Sequence, residues 1–176
     1  MSQLSLPRVV WITGLSRSGK TTVASHLREV CIAAGTRPVM LDGDSVRRII
    51  GGGIGYSSEE RRGLASMYGR LAQEIASQGH LVICATISLF SEVHAWNREN
   101  LPGYCEVWLR VPEDVLVSRD NGHLYGVDAP SRGPVAGVDL LVDFPAAADL
   151  TIDNFGAITP EAAAKQIMAH LRGSAG

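Results

Sequence analysis

Apolar runs of strand length alternate with segments of helical periodicity along most of the chain. Residues 9–13 form a short β-branched apolar run, and apolar side chains then follow Lys20 at helical spacing until Gly35. Later apolar runs predict further strands at 38–41, 81–85, 105–111 and 150–152. Strands that alternate with helices predict an α/β fold, with a mostly parallel sheet and helices on both faces.

Helix-starting signals support this assignment. Ser57 and Glu60 fit the capping-box pattern S-x-x-E, which predicts that a helix begins there. Thr159 and Pro160 predict the cap and the first residue of the terminal helix, and Pro112 is predicted as the first residue of another helix. The apolar stripe of the helix after Ser57 is predicted to be Leu64, Met67, Tyr68, Leu71 and Ile75.

The turn between the first strand and the first helix matches the phosphate-loop pattern G-x-x-x-x-G-K-[ST] at residues 14–21. Its two glycines let the backbone bend around an anion, and the helix contributes its positive N-terminal end. Lys20 would reach the terminal phosphates of ATP, and Thr21 would offer a hydroxyl to Mg²⁺. The predicted nucleotide-binding residues are Gly14, Ser16, Ser18, Gly19, Lys20, Thr21 and Thr22.

Polar side chains follow the second and third predicted strands. Asp42 and Asp44 follow one strand, and Thr86 and Ser88 follow the other, at the sheet edge where open α/β folds bind ligands. Asp42 is therefore predicted either to accept the proton of an acceptor hydroxyl or to join the magnesium shell. Asp44 is either a supporting site residue or the cap of a short helix through Ile50, and Ser88 could likewise cap the next helix.

The arginines are distributed locally rather than as one basic face. Arg61 lies one turn before Leu64, which places its guanidinium on the inward side of that helix. A guanidinium fork suits phosphate or sulfate, so we expect Arg61 to bind an anion in preference to a surface ion pair. Arg47 and Arg48 are expected on the exposed surface of the short helix.

Two glycine-rich stretches predict conformational change. Residues 51–55 are too rich in glycine for regular structure and predict a mobile connection. Residues 119–145 contain many Gly, Asp and Pro residues with little periodicity. A loop of that length beside a phosphate site predicts a lid that closes over bound nucleotide.

Length, charge and cysteine usage narrow the class of protein. With 176 residues the chain is most simply one domain, 1–176, and its net charge of -2 argues against a broad nucleic-acid-binding face. The apolar runs are too short to cross a membrane, and no signal peptide is visible. Cys31, Cys84 and Cys105 lie far apart in apolar runs, which suits reduced thiols in a cytoplasmic protein. The expected partner is a small molecule, without nucleic acid or membrane.

Several separated motifs, in this order, resemble the adenylylsulfate kinase family. Members of that family transfer the γ-phosphate of ATP to the 3′-hydroxyl of adenosine 5′-phosphosulfate, usually as homodimers. The resemblance implies a P-loop nucleoside triphosphate hydrolase-type three-layer fold, with ATP as co-substrate and Mg²⁺. The segments that resemble the family are 14–22, 41–47, 55–57 with Arg61, 87–88, 119–120, 124–125 and 137–139.

The resemblance also implies roles for individual residues. By position, Asp42 resembles the family's acidic catalytic residue, and Arg47 and Arg61 resemble its contacts to the substrate anion. Ser88 resembles the serine that can be phosphorylated in the family, and Arg119 is implied as an ATP contact. The residues implied in catalysis are Lys20, Asp42, Asp44 and Ser88. Those implied in acceptor binding are Asp42, Arg47, Tyr56, Arg61, Ile87, Ser88 and Leu124.

Departures from the family pattern cluster on the acceptor side. Gly63-Leu64 and Ser66-Met67 replace polar and basic residues, Leu89-Phe90 replaces Pro-Tyr, and the lid lysine expected near Gly122 is absent. Replacing this many polar groups in a binding site can change which substrate it selects. Some adenylylsulfate-kinase-like proteins of capsule pathways share the Thr-Ile-Ser-Leu-Phe segment at 86–90 and phosphorylate cytidine diphosphoramidate. That activity is the alternative hypothesis, and a nonenzymatic nucleotide switch is a third.

Overall fold

A parallel five-stranded sheet forms the centre of the molecule. The computed structural model describes residues 8–51, 57–120, 124–125 and 134–173. The strands are β1 (Val9–Thr13), β2 (Val39–Asp42), β3 (Val82–Ala85), β4 (Tyr104–Arg110) and β5 (Leu150–Asp153). Their spatial order is β2-β3-β1-β4-β5, and every pairing is parallel. The predicted parallel α/β sheet is confirmed.

Helices connect the strands. They are α1 (Lys20–Ala33), α2 (Gly43–Ile50), α3 (Ser58–Ser77), α4 (Ser91–Asn100), α5 (Glu113–Asp120) and α6 (Pro160–Gly173). The capping box of Ser57 and Glu60 is present at the start of α3, as predicted. Helix α5 begins one residue after Pro112 and continues through Arg119. The prediction that irregular structure begins at residue 119 is therefore wrong, because the end of α5 includes Arg119 and Asp120.

The two faces of the sheet bury separate hydrophobic clusters. On one face, α1 and α6 pack with side chains such as Leu27 and Ile167 against Ile12 of β1. On the other face, α3 and α4 pack with side chains such as Tyr68 and Val93 against Trp11. Alternate residues of β1 point to opposite faces, and all five of its residues are buried. The predicted three-layer arrangement is thus confirmed.

The three cysteines lie in the core, as their apolar neighbours in the sequence predict. Cys31, Cys84 and Cys105 are free thiols and are buried. Burial raises the pKa of the Cys105 thiol to about 12. Within the described ranges, no helix combines the length and apolarity needed to cross a bilayer.

Parallel pairing brings the ends of three adjacent strands together. β1 lies between β3 and β4, and β2 pairs with β3, so β1, β2 and β3 all end at the same edge. The phosphate loop follows β1, Asp42 ends β2, and Thr86 follows β3. The candidate site residues therefore lie together at the sheet edge that the sequence predicts.

Candidate active site

The phosphate loop has the backbone shape for which its glycines are needed. Gly14 has φ +154° and Gly19 has φ +90°. A Cβ on Gly14 would lie 2.7 Å from the carbonyl oxygen of Leu109, and one on Gly19 would lie 2.7 Å from Nδ2 of Asn154. Both positions therefore exclude larger residues, as the motif predicts.

Lys20 is the first residue of α1, and its ammonium lies inside the loop. Nζ donates to the carbonyl oxygen of Leu15 at 2.6 Å and to Oγ of Ser18 at 3.4 Å. Burial lowers the pKa of Lys20 to about 8, although the carboxylates of Asp44 and Asp42 oppose the shift. An incoming phosphate could replace these neutral acceptors and stabilise the charged ammonium.

Thr21 and Asp42 form a direct pair between α1 and β2. The Thr21 hydroxyl donates to Oδ2 of Asp42 at 2.6 Å, and Oδ1 of Asp42 accepts from the backbone N–H of Ser45 at 3.0 Å. Asp42 thereby caps α2, with an extended backbone at the cap position. The alternative that Asp44 caps this helix is wrong, because Asp44 already lies in the first helical turn.

The same pair suits Mg²⁺. A hydroxyl and a carboxylate oxygen are ligands that this hard cation prefers, and Mg²⁺ commonly takes its other ligands from water and substrate phosphates. Among the described residues, no group of three or more His, Cys, Asp or Glu side chains could hold a metal ion by itself. Thr21 and Asp42 would thus need bound nucleotide to complete the coordination sphere.

The loop after β3 contacts the end of β1, and two of its hydroxyl groups contact each other. The Thr13 hydroxyl donates to the carbonyl oxygen of Ile87, and Oγ of Thr86 lies 2.8 Å from Oγ of Ser88. Ser88 is buried and has φ +30°, an unusual conformation for a residue with a side chain. Ser88 does not cap α4, because that helix begins at Ser91 and the Ser91 N–H donates to Asp143.

The two arginines implied in anion binding lie near this edge. Arg47 is half-buried beside the phosphate-site residues, so the prediction that it lies on the exposed surface is wrong, whereas Arg48 is exposed as predicted. Nη2 of Arg61 donates to the carbonyl oxygen of Pro134 at 2.6 Å. This contact joins the start of α3 to the region predicted as the lid.

One cavity of about 930 Å³ contains most of the predicted site residues. Gly14 and Ser18 lie beneath its surface, since neither lines the cavity and Ser18 is fully buried. Tyr56, and with it the glycine-rich stretch from residue 52, lies outside the described residues. The predicted residues that line the cavity are Ser16, Gly19, Lys20, Thr21, Thr22, Asp42, Asp44, Arg47, Arg61, Ile87, Ser88, Arg119 and Leu124.

A buried carboxylate behind the phosphate loop was missed by sequence reasoning. Oδ1 of Asp120 accepts from Nε of Arg17 at 3.0 Å, and Oδ2 accepts from the backbone N–H groups of Leu124 and Tyr125. Burial raises the pKa of Asp120, but these hydrogen bonds and the Arg17 charge outweigh it and lower the pKa below its usual value. The Tyr125 hydroxyl donates to the carbonyl oxygen of Ser16 at 3.0 Å. Asp120 therefore links the end of α5 to the phosphate loop.

A second missed residue is Asn154, which directly follows β5. Its Nδ2 donates to the carbonyl oxygen of Ser18 at 2.8 Å, and its own carbonyl oxygen accepts from Arg119 at 2.8 Å. Arg119 thus reaches the cavity next to the phosphate loop, where the resemblance places it. The sequence could have predicted Asn154 from its place directly after a strand, because a polar residue after a parallel strand lies at the ligand-binding edge.

Comparisons with known proteins show the family of this chain. The family model described as adenylylsulphate kinase matches residues 6–153. A cytidine diphosphoramidate kinase of Campylobacter jejuni is 36% identical over 149 residues, which cover 84% of this chain and 86% of the relative. An adenylyl-sulfate kinase of Pseudomonas aeruginosa is 32% identical over 168 residues, which cover 94% and 85%.

Solved structures give the same assignment. The Mycobacterium tuberculosis APS kinase in complex with AMPPNP and APS superposes with a TM-score of 0.84 and 27% identity, and the match covers 94% of this chain and 98% of that one. Shikimate kinase from Aquifex aeolicus, at 19% identity and a TM-score of 0.60, shares the P-loop kinase fold. The chain therefore belongs to the adenylylsulfate kinase family.

Proposed function

We propose that this chain is a single kinase domain, 1–176, that transfers the γ-phosphate of ATP to a ribose hydroxyl of an anionic nucleotide. The observation that best supports this reaction is the Thr21–Asp42 pair, with Lys20, Arg47 and Arg61 lining the same cavity. Such a cavity offers an ammonium group to a triphosphate, oxygen ligands to Mg²⁺ and a carboxylate to an acceptor hydroxyl. The family assignment supports a phosphotransferase whose acceptor is an alcohol group.

Each polar group has a defined part in this proposal. The Lys20 ammonium would bind the transferred phosphoryl group as negative charge moves to the leaving oxygen. Thr21 and Asp42 would hold Mg²⁺, which when bound neutralises charge on the β- and γ-phosphates. Asp42 either accepts the proton of the acceptor hydroxyl or serves only in the metal shell. Arg47 and Arg61 would bind the anionic group of the acceptor, since guanidinium groups match tetrahedral oxyanions.

Adenosine 5′-phosphosulfate is the first candidate for the acceptor. The adenylyl-sulfate kinases among the relatives, and the neighbouring structure that holds APS, support it. Cytidine diphosphoramidate is the second candidate, because the acceptor side departs from the family pattern. Leu64, Leu89 and Phe90 line the cavity there, and the Campylobacter jejuni relative carries that substrate in its name.

A direct comparison of acceptors tests the assignment. ATP consumption should be measured with adenosine 5′-phosphosulfate, cytidine diphosphoramidate and simple nucleoside diphosphates. We expect turnover to require a nucleotide acceptor, and we expect kcat/KM to be highest for adenosine 5′-phosphosulfate. A preference for the cytidine compound by tenfold, about 1.4 kcal/mol, would replace the first candidate by the second. ATP hydrolysis that no acceptor stimulates would contradict the kinase proposal and favour a nucleotide switch.

We also propose that residues 119–145 form a lid over bound nucleotide. The contact of Arg61 with the carbonyl oxygen of Pro134 supports this, because a proposed anion-binding side chain already touches this region. Hydrogen exchange of residues 134–145 should slow when AMPPNP and the acceptor are added, with α6 as the internal control. Equal exchange with and without ligands would contradict a lid.

The family resemblance supports a cytoplasmic homodimer as the working form.

A further inference from the structure

We infer that His94 is a positioning residue that fixes the acceptor-side loop of residues 87–90, an inference that rests on the proposed kinase function. The His94 side chain is buried in α4, and its Nε2 lies 2.9 Å from the carbonyl oxygen of Ser88. A carbonyl oxygen can only accept, so Nε2 must carry the hydrogen. Both the neutral Nε2–H tautomer and the imidazolium can make this bond.

The loop needs such a contact because its backbone is strained. Ser88 has φ +30°, and a residue with a Cβ persists there only when surrounding contacts enforce the conformation. Two side chains donate hydrogen bonds to successive carbonyl oxygens of this loop. The Thr13 hydroxyl donates to the carbonyl oxygen of Ile87, and Nε2 of His94 donates to that of Ser88. Thr13 ends β1 and His94 lies in α4, so the loop is fixed between the sheet and a helix.

The other nitrogen of the imidazole ring faces a buried carboxylate of the central sheet. Its Nδ1 lies 3.8 Å from Oε1 of Glu106, a carboxylate in β4 that is 2% exposed. Glu106 also accepts from the Tyr104 hydroxyl at 2.9 Å and from Arg98 at 3.3 Å. These partners hold the carboxylate in place, and it would attract the ring when His94 is an imidazolium, because Nδ1 then carries a hydrogen as well.

A second set of contacts fixes the far end of the loop. The backbone N–H of Asp143 donates to the carbonyl oxygen of Leu89 at 3.0 Å, and the Asp143 carboxylate accepts from the Ser91 N–H at 3.0 Å. Phe90 occupies the cap position of α4, but its side chain makes no capping hydrogen bond. The Asp143 carboxylate therefore caps this helix instead. Asp143 and His94 thus bond to neighbouring residues of the same loop.

By the family resemblance, this loop lies on the acceptor side of the cavity. The residues of the loop that line the cavity are Ile87, Ser88, Leu89 and Phe90. The hydrogen bonds of Lys20 and Thr21, the proposed contacts to ATP and Mg²⁺, go to Leu15, Ser18 and Asp42, which lie outside this loop. A misplaced loop should therefore impair the acceptor more than ATP. Because small displacements of positioning groups cost rate steeply, the effect should exceed tenfold in kcat/KM.

Two amide substitutions test the inference. The glutamine amide nitrogen occupies the place of imidazole Nε2, whereas the asparagine amide nitrogen occupies the place of Nδ1. We expect His94→Gln to keep kcat/KM for the preferred acceptor within about threefold of wild type, and His94→Asn to lower it at least tenfold. The dissociation constant of AMPPNP should not change in either variant. His80→Asn, at an exposed histidine, is the matched control.

Nitrogen NMR of the histidine rings adds a measurement that needs no activity. His94 should show a protonated Nε2 in the free enzyme. A protonated Nδ1 with an unprotonated Nε2 would overturn the inference, and so would wild-type kinetics in a folded His94→Asn protein. An equal loss in both amide variants would also overturn it, because it would show that the Ser88 contact is not what matters. A wild-type protein without acceptor-dependent turnover would instead refute the proposed function, while the NMR result still tests the His94 contact.

Discussion

Lys20→Met should lower kcat/KM for ATP by about a thousandfold while the protein stays folded. Methionine keeps an unbranched apolar chain of similar length but removes the ammonium that donates to Leu15 and Ser18. Phosphoryl transfer depends on positioning and charge neutralisation, so a cation beside the transferred group contributes mainly to the transition state. Steady-state turnover with the preferred acceptor measures the loss.

Lys165→Met is the matched control, because Lys165 is exposed on α6 and does not line the cavity. It should leave turnover unchanged. Thermal melting of both variants separates loss of chemistry from loss of fold. A folded Lys20→Met protein with turnover near that of wild type would remove Lys20 from the mechanism.

Proton uptake on ATP binding is an independent test that the Lys20 ammonium contacts the triphosphate. Burial holds the pKa of Lys20 at about 8 in the free protein, and bound triphosphate should raise this pKa by its negative charge. Above pH 8 the free ammonium is partly deprotonated, so ATP binding must take up a proton and must weaken as the pH rises. Calorimetry at pH 9 in two buffers of different ionisation enthalpy should detect the uptake, and Lys20→Met should abolish it.

Asp42→Asn should lower kcat by about a hundredfold or more. Asparagine can still accept the Ser45 N–H that caps α2, so the local fold should persist. It cannot act as a general base, and it is a poorer ligand for Mg²⁺ than a carboxylate. Acceptor-dependent turnover, measured over a range of Mg²⁺ concentrations, tests both roles together.

The magnesium dependence distinguishes the two roles of Asp42. If the carboxylate belongs to the metal shell, the variant should need more Mg²⁺ and should recover part of its rate at high concentration. If it accepts the hydroxyl proton, excess Mg²⁺ should not restore the rate. Asp114→Asn, at an exposed carboxylate in α5, should behave as wild type. Unchanged kcat in Asp42→Asn at all Mg²⁺ concentrations would exclude both roles.

The spacing of residues along the sequence by itself determined several elements and motifs of this protein. The phosphate loop, the capping box at Ser57 and the individual strands could all be predicted, because each depends on residues close together in the chain. The ligand-binding edge could also be predicted, since the carboxyl ends of neighbouring parallel strands meet at the same edge. That rule alone predicts Asp42 and Ser88 near the phosphate loop, where the structure has them.

The tertiary structure alone decided which of these polar residues touch. The strand order brought Thr21 of α1 within hydrogen-bonding distance of Asp42 at the end of β2. Asp120 reaches Arg17 across 103 positions of the chain, and Arg61 reaches the backbone of Pro134 across 73. No periodicity or short motif encodes contacts at such separations. They arise because helices on both faces of a parallel sheet bring distant chain segments to one edge, where their polar groups come within hydrogen-bonding distance.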